Sequence, residues 1–356
     1  MYKILAINPG GGSTKVALFE DEELIKKEEI RHTPEELAKF ARIIEQVDFR
    51  RKAILDFIER EKVDISSISA VVGRGGAFKP LKSGVYLVDE EVIKDVLEGK
   101  VQADHPSNLG VILAREIAEK AGCNAYFVDP VSVDEFYEIS RLSGIRELER
   151  KSLSHALNTK YVARKLAERM GRKYEKMNLI VAHLGTGISI SPHKKGRMFD
   201  VNNANDGGPF SPQRAGTLPT TGLIKLCFSG KYDKVSLLRK VTREAGLLDY
   251  LGTDDLREVI ERIEQGDEEA RLVYDAMVYQ IAKEIGSMAA ALKGEVDYIV
   301  LTGGMARSEK FVKDVEEYIK WIAPVYVIPG ENEMEALAYG ALLVLRGELE
   351  PKKYGG

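Results

Sequence analysis

The chain has 356 residues, of which 44% are hydrophobic, and its 52 basic and 56 acidic side chains give a formal net charge of −4. This near balance argues against a nucleic-acid-binding or membrane-surface protein, because such proteins normally carry a clear basic excess. Single hydrophobic cores stop growing at ~250–300 residues, so more than one domain is expected.

The N-terminus runs directly into a strand-like pattern, without the apolar core and cleavage site of a signal peptide. No apolar run approaches the length needed to span a bilayer. Cys123 and Cys227 stand in ordinary apolar contexts without metal-ligand spacing, which indicates free thiols. We therefore expect a cytoplasmic protein.

The first half of the chain alternates short apolar runs with Gly-rich turns and helical periodicity. Apolar runs bounded by turns predict strands, and apolar residues recurring every three to four positions predict helices. The predicted strands cover residues 3–7, 16–19, 24–31, 68–72 and 125–129, and the predicted helices cover residues 34–47, 50–61 and 108–121.

The second half begins in the same way, after a predicted helix at residues 152–170: a strand, a Gly turn and another strand occupy residues 179–191. An extended piece at 197–201, helices at 256–263, 268–292, 308–321 and 333–346, and strands at 298–301 and 325–328 follow. Strands mixed with packed helices indicate α/β layers. The repeated opening indicates an internal duplication with a boundary near residue 150.

The first Gly-rich turn, Gly10-Gly11-Gly12-Ser13-Thr14-Lys15, could be mistaken for a Walker A loop. The spacing does not match, because Thr14 stands where that loop has Gly, and the residues that follow read as a strand instead of a helix. We interpret the turn as a β-hairpin that presents backbone N–H groups, Ser13 and Lys15 to a phosphate. Its glycines would allow positive φ and close approach of phosphate oxygens. The alternative is an ordinary hairpin turn, which does not require this composition.

Two further Gly turns follow strands in the second half. The turn after His183, with Gly185 and Gly187, is the counterpart of the first turn, and Gly303-Gly304-Met305 connects a strand with a helix. The last arrangement suits a nucleotide lying against backbone N–H groups and a helix N-terminus. Either turn alone would also fit an ordinary connection between secondary-structure elements. The interpretation as nucleotide-binding turns therefore depends on the presence of all three Gly turns.

Nine ordered motifs extend this pattern along the whole chain. They are INPGGGSTK (7–15), VVGRGGAFKP (71–80), HPSNLG (105–110), VDPVSVDE (128–135), HALNTK (155–160), AHLGTGIS (182–189), DVNNANDGGPFSPQRAGTL (200–218), LTGGMA (301–306) and PGENEMEALA (329–338). On these motifs the chain resembles, from end to end, the butyrate kinases of the acetate kinase family. That family belongs with sugar kinases, actin and the large heat-shock chaperones in one superfamily.

The resemblance implies an α/β fold of two duplicated actin-like, ribonuclease H-like domains with a nucleotide cleft between them. The N-terminal domain would comprise residues 1–150 plus about 334–356, and the C-terminal, nucleotide-binding domain residues 151–333. The resemblance also implies at least a homodimer, short-chain fatty acid and acyl phosphate as substrates, and Mg²⁺ with ATP or ADP as cofactor.

Site residues carry over position by position. The nucleotide and its phosphates would contact Asn8, Gly11, Ser13, Lys15, His183, Gly185, Gly187, Gly303, Gly304 and Met305, with Asp255 and Arg257 at the adenosine end. The catalytic set would be Arg74, Asp129, His155 and Arg214, the acid would also meet Gly76 and His105, and Mg²⁺ would be held through Asn8 and Glu333. His105 has an equally good alternative as a helix-entry residue before Asn108.

The implied chemistry is physically reasonable for these residue types. A carboxylate with a pKa near ~4–5 is already ionised at neutral pH, so its attack on phosphorus requires no general base. The obstacle is the approach of an anion to a highly anionic nucleotide, which positioning and positive charge can overcome. Arg74 is flanked by Gly73, Gly75 and Gly76 at a strand end, a setting that an ordinary surface arginine does not need.

Acyl chain length depends on the residue two positions after Arg74. Acetate kinases place Val there, whereas this chain has Gly76. The missing isopropyl group would leave room for additional methylenes, each contributing ~0.8 kcal/mol when buried. Gly76→Val is therefore expected to shift the preference toward acetate.

The sequence thus predicts reversible phosphoryl transfer from ATP to butyrate, giving butanoyl phosphate and ADP. One alternative is a kinase of branched-chain or broadly of short-chain acids. An alternative of another class is a nucleotide switch of the actin or chaperone type, which would hydrolyse ATP without forming acyl phosphate.

Overall fold

The computed structural model describes residues 1–355, which form two compact units. The first unit contains Met1–Asp134 and the segment that begins at Asn332, and the second contains Glu135–Glu331. Within residues 1–355, no helix is both long and apolar enough to cross a membrane.

The first unit is built on a six-stranded sheet. Its strands are β1 (Lys3–Pro9), β2 (Ser13–Glu20), β3 (Glu23–Arg31), β4 (Ala70–Arg74), β5 (Val85–Leu87) and β6 (Asn124–Val128), in the order β3-β2-β1-β4-β6-β5. The first three strands are antiparallel neighbours, β1, β4 and β6 run parallel, and β5 pairs antiparallel with β6. The helices are α1 (Pro34–Leu37), α2 (Val47–Arg60), α3 (Glu90–Leu97) and α4 (Gly110–Ala121), with 3₁₀ turns at Ile43–Gln46, Ile65–Ser67 and Pro106–Leu109.

The second unit is built on a five-stranded sheet. Its strands are β7 (Asn178–Leu184), β8 (Ile188–Lys194), β9 (Arg197–Met198), β10 (Tyr298–Gly303) and β11 (Val325–Pro329), in the order β11-β10-β7-β8-β9. The helices are α5 (Glu138–Arg141), α6 (Ala156–Arg169), α7 (Thr220–Cys227), α8 (Lys234–Arg243), α9 (Leu247–Leu251), α10 (Leu256–Glu264), α11 (Glu268–Ala291) and α12 (Glu309–Ile319). Single 3₁₀ turns cover Tyr174–Lys176 and Met305–Arg307.

Both sheets share one topology. In each, the first strand pairs antiparallel with the second, the second with the third, and the first also pairs parallel with the fourth. Strand β5 is an addition to the first sheet. The duplication predicted from the order of elements is therefore confirmed, together with the α/β class.

The central strands are buried on both faces because helices cover both sides of each sheet. Ile4, Leu5, Ala6 and Ile7 of β1 are completely buried, and β7 has an equally apolar run at residues 179–182. Such continuous apolar strands are typical of sheets covered on both faces, where alternation with polar residues is lost. Burial thus explains why short apolar runs without period 2 were correctly read as strands.

The predicted helix at residues 34–47 is wrong. Helix α1 ends at Leu37, a 3₁₀ turn occupies Ile43–Gln46, and α2 begins at Val47. Glu45 explains the interruption, because its carboxylate accepts hydrogen bonds from the backbone N–H groups of Ala41 and Arg42 and so caps a new helical start. The extended piece predicted at 197–201 is reduced to the two residues of β9, and β5, α3 and α7 to α9 were not predicted.

The last helix, α13 (Glu333–Leu345), packs on the sheet of the first unit. It approaches the sheet closely at Gly340, where a Cβ atom would lie 2.7 Å from Cγ2 of Val128 in β6. After the helix, Lys352 forms a β-bridge with Tyr86, and the side chain of Tyr354 is buried among Phe78 and Phe127. The chain end is thereby part of the first core.

Close approach of a strand and a helix fixes the end of β4. A Cβ atom at Gly73 would lie 2.0 Å from the carbonyl oxygen of Gly110, and one at Gly110 would lie 2.2 Å from the carbonyl oxygen of Arg74. Neither position tolerates a side chain, so α4 begins directly against the backbone that carries Arg74. This contact decides where the Arg74 side chain leaves the sheet.

Gly73→Ala is expected to lower the free energy of unfolding by about 1–3 kcal/mol, because backbone atoms must move to admit the methyl group. Gly286→Ala is the matched control: Gly286 lies inside α11, has no positive φ, and its added Cβ would meet no atom within 4 Å. It should raise stability by about 0.5–1 kcal/mol. Urea unfolding of both variants measures the two effects, and equal midpoints would contradict the close-contact argument.

Candidate active site

The first Gly turn is a β-hairpin, as predicted. Strand β2 follows it directly, and the N–H of Gly10 donates to the carbonyl of Ser13 at 2.8 Å to close the turn. The carbonyl of Gly12 accepts from the N–H of His32 at 2.9 Å. In residues 1–355, the N–H groups of Gly11 and Gly12 have no backbone acceptor. The carbonyls of Gly12 and Ser13 are therefore occupied, while the N–H groups of Gly11 and Gly12 have no backbone acceptor in the described residues, which is the polarity that an anion requires.

The expectation that these glycines provide positive φ is wrong, since none of Gly10, Gly11 and Gly12 has a positive φ. A Cβ atom at Gly11 or Gly12 would also meet no atom within 4 Å. Neither backbone strain nor packing within the chain thus demands glycine at these two positions. The remaining physical role is to let a ligand approach the backbone closely.

Four predicted site residues of the first unit meet at one carboxylate. Glu333, the first residue of α13, accepts a hydrogen bond from Nδ2 of Asn8 at 2.6 Å, and its other oxygen pairs with Arg74. Nζ of Lys15 lies 3.9 Å from the same carboxylate. Two cations thus lie beside one half-buried anion, and guanidinium and ammonium groups are the side chains that bind phosphate and carboxylate oxygens.

The donor set of this cluster limits the kind of metal site it can form. In residues 1–355, no three His, Cys, Asp or Glu side chains come together as a metal-binding group. Mg²⁺ usually keeps several waters and takes only one or two protein carboxylates besides substrate phosphates. Glu333 with the amide of Asn8 fits that mode, in which the metal enters with the nucleotide.

Asp129 follows β6 in a left-handed conformation with φ +35°. Its buried carboxylate accepts hydrogen bonds from the hydroxyl of Ser83 at 2.6 Å and from the N–H of Gly84 at 2.8 Å. Such a conformation costs a non-glycine residue about 1–3 kcal/mol and is enriched at functional sites. One carboxylate oxygen thus anchors the turn before β5, and the predicted catalytic role of Asp129 stays a prediction.

Two histidines stack in the second unit. The rings of His155 and His183 are 4.0 Å apart and nearly parallel, with an angle of 10° between their planes. Nδ1 of His155 lies 2.9 Å from the hydroxyl of Ser189, and Nδ1 of His183 lies 2.8 Å from Oδ1 of Asn158. Each Nδ1 therefore has a fixed partner, which orients both rings and directs Nε2 away from it.

Asn158 in turn is held by the backbone, because its Nδ2 donates to the carbonyls of Gly330 and Glu331. Ser189 and Asn158 were not predicted as supporting residues. A signal existed for both, since Asn158 lies in the motif at 155–160 and Ser189 ends the motif at 182–189.

Arg214 is held against the second Gly turn. A Cβ atom at Gly187 would lie 2.5 Å from Nη1 of Arg214, so the absence of a side chain there gives the guanidinium its place. Ser211 connects the segment that carries Arg214 to the second Gly turn: its hydroxyl donates to the carbonyl of Thr186 and accepts from the N–H of Arg214. Ser211 was not predicted as a site residue.

The guanidinium of Arg214 has no hydrogen-bond acceptor and no ion-pair partner among residues 1–355. Burial, with a smaller contribution from the charge of Arg243, lowers the pKa of Arg214 below its ordinary value. A half-buried cation without an acceptor is unfavourable unless an anion joins it. The geometry is therefore that of a binding site for carboxylate or phosphate oxygens.

The third turn has two different glycines. Gly303 has φ +91°, and a Cβ there would lie 2.3 Å from the carbonyl oxygen of Leu184, so both conformation and packing require glycine. Gly304 has no positive φ and open space around its Cβ position. A 3₁₀ turn at Met305–Arg307 follows the glycines, and α12 begins after its cap at Ser308, in agreement with the helix predicted from residue 308.

Four predicted residues have other contacts in the structure. Asp255 caps the N-terminus of α10 and pairs with the exposed Arg257. His105 caps the 3₁₀ turn at Pro106–Leu109 by accepting from the N–H of Ser107. A Cβ at Gly76 would lie 1.9 Å from Oδ1 of Asn108, so its space is already filled. The ligand roles of Asp255, Arg257, His105 and Gly76 stay predictions.

Residues 136–323 match the model of a protein family described as the acetokinase family, and this match covers slightly more than half of the chain. The chain belongs to the acetokinase family. As a member of it, the chain is an ATP-dependent kinase of short-chain carboxylic acids.

Solved structures show the same fold. Acetate kinase from Porphyromonas gingivalis is similar with 22% identity and a TM-score of 0.77, over 96% of this chain and 100% of that one. A propionate kinase from Francisella tularensis subsp. tularensis SCHU S4 has 18% identity and a TM-score of 0.74, over 96% and 99%. Acetate kinase from Entamoeba histolytica has 19% identity and a TM-score of 0.73, over 95% and 98%. The two-domain actin-like fold predicted from the motifs is confirmed.

Gly11→Ala tests whether the first turn binds a ligand. Because the added Cβ meets no atom of the chain and φ is not positive, the unfolding temperature should change by less than about 2 °C. Turnover of ATP with a short-chain acid should nevertheless fall by roughly tenfold or more, since the methyl group blocks the approach of a phosphate. Gly144→Ala, equally open and outside the site residues, serves as control. Unchanged turnover in Gly11→Ala would contradict the proposed role of the turn.

Proposed function

We propose that this chain transfers the γ-phosphoryl group of ATP to the carboxylate of butyrate, giving butanoyl phosphate and ADP. The observation that carries the carboxylate kinase chemistry is the guanidinium of Arg214, which is held on Gly187 without an acceptor in the described residues. The choice of butyrate rests on the nine motifs shared with butyrate kinases.

In the proposed reaction, a carboxylate oxygen attacks the γ-phosphorus in line, a new P–O bond forms, and the bond to the ADP oxygen breaks. No proton has to move, because the acid enters ionised and ADP leaves as an anion. The protein therefore contributes position and positive charge instead of acid–base chemistry. Arg74 and Arg214 bind carboxylate and phosphoryl oxygens, Lys15 neutralises charge at the first turn, and His155 donates a hydrogen bond.

Glu333 and Asn8 would hold Mg²⁺, which supplies charge neutralisation on the nucleotide phosphates. Arg74, which pairs with the carboxylate of Glu333, would then be available to the substrate anion. The half-buried cluster of Glu333, Arg74 and Lys15 thus supports an exchange of partners upon binding. Gly185, Gly187, Gly303, Gly304 and Met305 line the nucleotide site in this proposal, with Asp255 and Arg257 toward the adenosine.

The acid preference requires a test other than Gly76→Val. The amide of Asn108 already occupies the space of a side chain at position 76, so valine would displace Asn108 and disturb the start of α4 as well as selectivity. A direct comparison of substrates avoids this complication and also decides between butyrate and the branched-chain or broader alternative.

With hydroxylamine trapping of the acyl phosphate, kcat/KM should be about tenfold higher for butyrate than for acetate, since two extra methylenes contribute ~1.6 kcal/mol. Propionate should fall between them. A preference for isobutyrate over butyrate would favour the branched-chain alternative, and equal or better use of acetate would show that the butyrate proposal is wrong.

The same assay distinguishes a kinase from a nucleotide switch. A kinase forms hydroxamate in proportion to the ADP released and requires an acid, whereas an actin- or chaperone-like switch releases ADP and phosphate with or without acid. ATP hydrolysis without any hydroxamate would therefore contradict the proposed reaction.

Arg214→Gln should lower kcat/KM for the acid by roughly 10²–10³-fold, because the transition state loses a charged donor in a site of low dielectric. Its unfolding temperature should stay the same or rise, since the arginine has no acceptor to lose in the described residues. Arg239→Gln on the exposed face of α8 is the control with the same change of charge. A loss of less than threefold in Arg214→Gln would exclude a direct role in the reaction.

We further propose that the chain forms a homodimer or a larger homo-oligomer, as the family resemblance implies. Light scattering coupled to gel filtration measures the mass directly, and a mass near 39.6 kDa at all concentrations would contradict this proposal.

A further inference from the structure

Arg50 in α2 is a completely buried arginine at the back of the first Gly turn. Its Nε and Nη2 donate to Oε1 of Gln46 at 3.0 and 2.9 Å. Its Nη1 donates to the carbonyl of Ser13 at 2.9 Å and to the hydroxyl of Thr14 at 3.0 Å. All these acceptors are neutral. In residues 1–355, no carboxylate lies within 4.0 Å of the guanidinium.

A buried charge without a counter-ion is costly, and proteins normally pair it with a carboxylate. Burial lowers the pKa of Arg50 to about 10, so the guanidinium stays charged at neutral pH. The neighbouring His32 adds no cancelling charge. Its ring nitrogen Nε2 lies 2.8 Å from Oγ1 of Thr14, and burial, followed by the charge of Arg50, lowers its pKa. The guanidinium of Arg50 therefore has only neutral acceptors in direct contact. The nearby acidic side chains act through other residues: Glu29 accepts from the hydroxyl of Ser13 at 3.0 Å, and the charge of Glu36 acts on His32.

The same contacts determine which groups of the turn remain open. The carbonyl of Ser13 accepts from both Arg50 and the N–H of Gly10, and the carbonyl of Gly12 accepts from the N–H of His32. These two carbonyl oxygens, which would repel a phosphate, thus accept hydrogen bonds from within the protein. The N–H groups of Gly11 and Gly12, which attract a phosphate, are left without a backbone acceptor in the described residues.

We propose that Arg50 is a positioning residue for phosphoryl transfer, which holds the carbonyl of Ser13 away from the phosphate and places behind the turn a positive charge that no carboxylate contacts directly. This inference rests on the proposed function of the turn as a phosphate site. Arg50 does not touch the substrate, and it acts through Ser13 and Thr14.

Gln46→Glu separates the charge of Arg50 from its structural contacts. The new carboxylate has the same size as the amide, takes the place of the oxygen that already accepts two hydrogen bonds, and neutralises the guanidinium. Stability should therefore be maintained or increased. The electrostatic support of the phosphate should be lost. The affinity for the phosphoryl group in transfer should therefore fall by roughly tenfold, which is the effect of charges less than ~10 Å apart in a medium of intermediate dielectric.

The measurement compares two ligands by calorimetry: Mg·ADP alone, and Mg·ADP with aluminium fluoride, which mimics the phosphoryl group in transfer. Gln46→Glu should bind Mg·ADP within about twofold of the unmodified protein, bind the fluoride complex about tenfold more weakly, and lose kcat with little change in the KM for ATP. Lys52→Gln changes the net charge by the same amount on the exposed side of the helix that carries Arg50. It should leave both affinities, kcat and the KM for ATP unchanged.

Arg50→Met should weaken the fluoride complex further and lower the unfolding temperature, with partial rescue in Arg50→Lys. If Gln46→Glu binds the fluoride complex as tightly as the unmodified protein does, Arg50 has only a structural role and the inference is wrong. This conclusion holds even if Arg50→Met does not fold.

The two proposals fail separately. If the unmodified protein forms hydroxamate and Gln46→Glu binds the fluoride complex normally, only the proposed role of Arg50 is wrong. If the unmodified protein forms no hydroxamate but Gln46→Glu binds the fluoride complex tenfold more weakly, only the proposed carboxylate kinase activity is wrong. An unmodified protein that binds neither ligand overturns both.

Discussion

The carboxylate of Glu333 is the contact on which the first unit's site depends. It is the first residue of the last helix, yet its partners are Asn8 and Lys15 at the beginning of the chain and Arg74 at the end of β4. Without this anion, the like charges of Lys15 and Arg74 would repel each other. With it, both cations have a carboxylate within 4.0 Å. The packing of α13 against β6 at Gly340 fixes the carboxylate in position.

The second unit solves the same electrostatic problem differently. Arg214 lies on a glycine of the second turn and has no counter-ion in the described residues, while His155 and His183 are stacked and oriented by Ser189 and Asn158. Positive charge without partners is a cost to stability and a benefit for binding anions. Arg50, behind the first turn, is likewise a buried cation without a carboxylate in direct contact, although its guanidinium donates to neutral acceptors. For a kinase whose acceptor and donor are both anions, placed positive charge is the main means of catalysis.

The sequence was sufficient for the architecture wherever one physical signal dominated. Continuous apolar runs such as those of β1 and β7 identified buried strands, and the repeated strand–turn–strand order identified the duplication. It was insufficient at residues 34–47, where the side chain of Glu45 capping the backbone overrode an apparent helical period. The short helices α7 and α8, which were not predicted, bury none of their residues.

The sequence by itself determined the kinds of chemistry: glycines in three turns, arginines beside them, and one acidic residue at the start of the last helix. Only the tertiary structure decided which glycines are required by the chain, such as Gly303, and which leave space for a ligand, such as Gly11 and Gly12. It also assigned Gly76 to the contact with Asn108, and brought Arg50 to the back of the phosphate turn. The reason is that the need for glycine, the pairing of a charge and its burial depend on atoms distant in the sequence, which no local pattern contains.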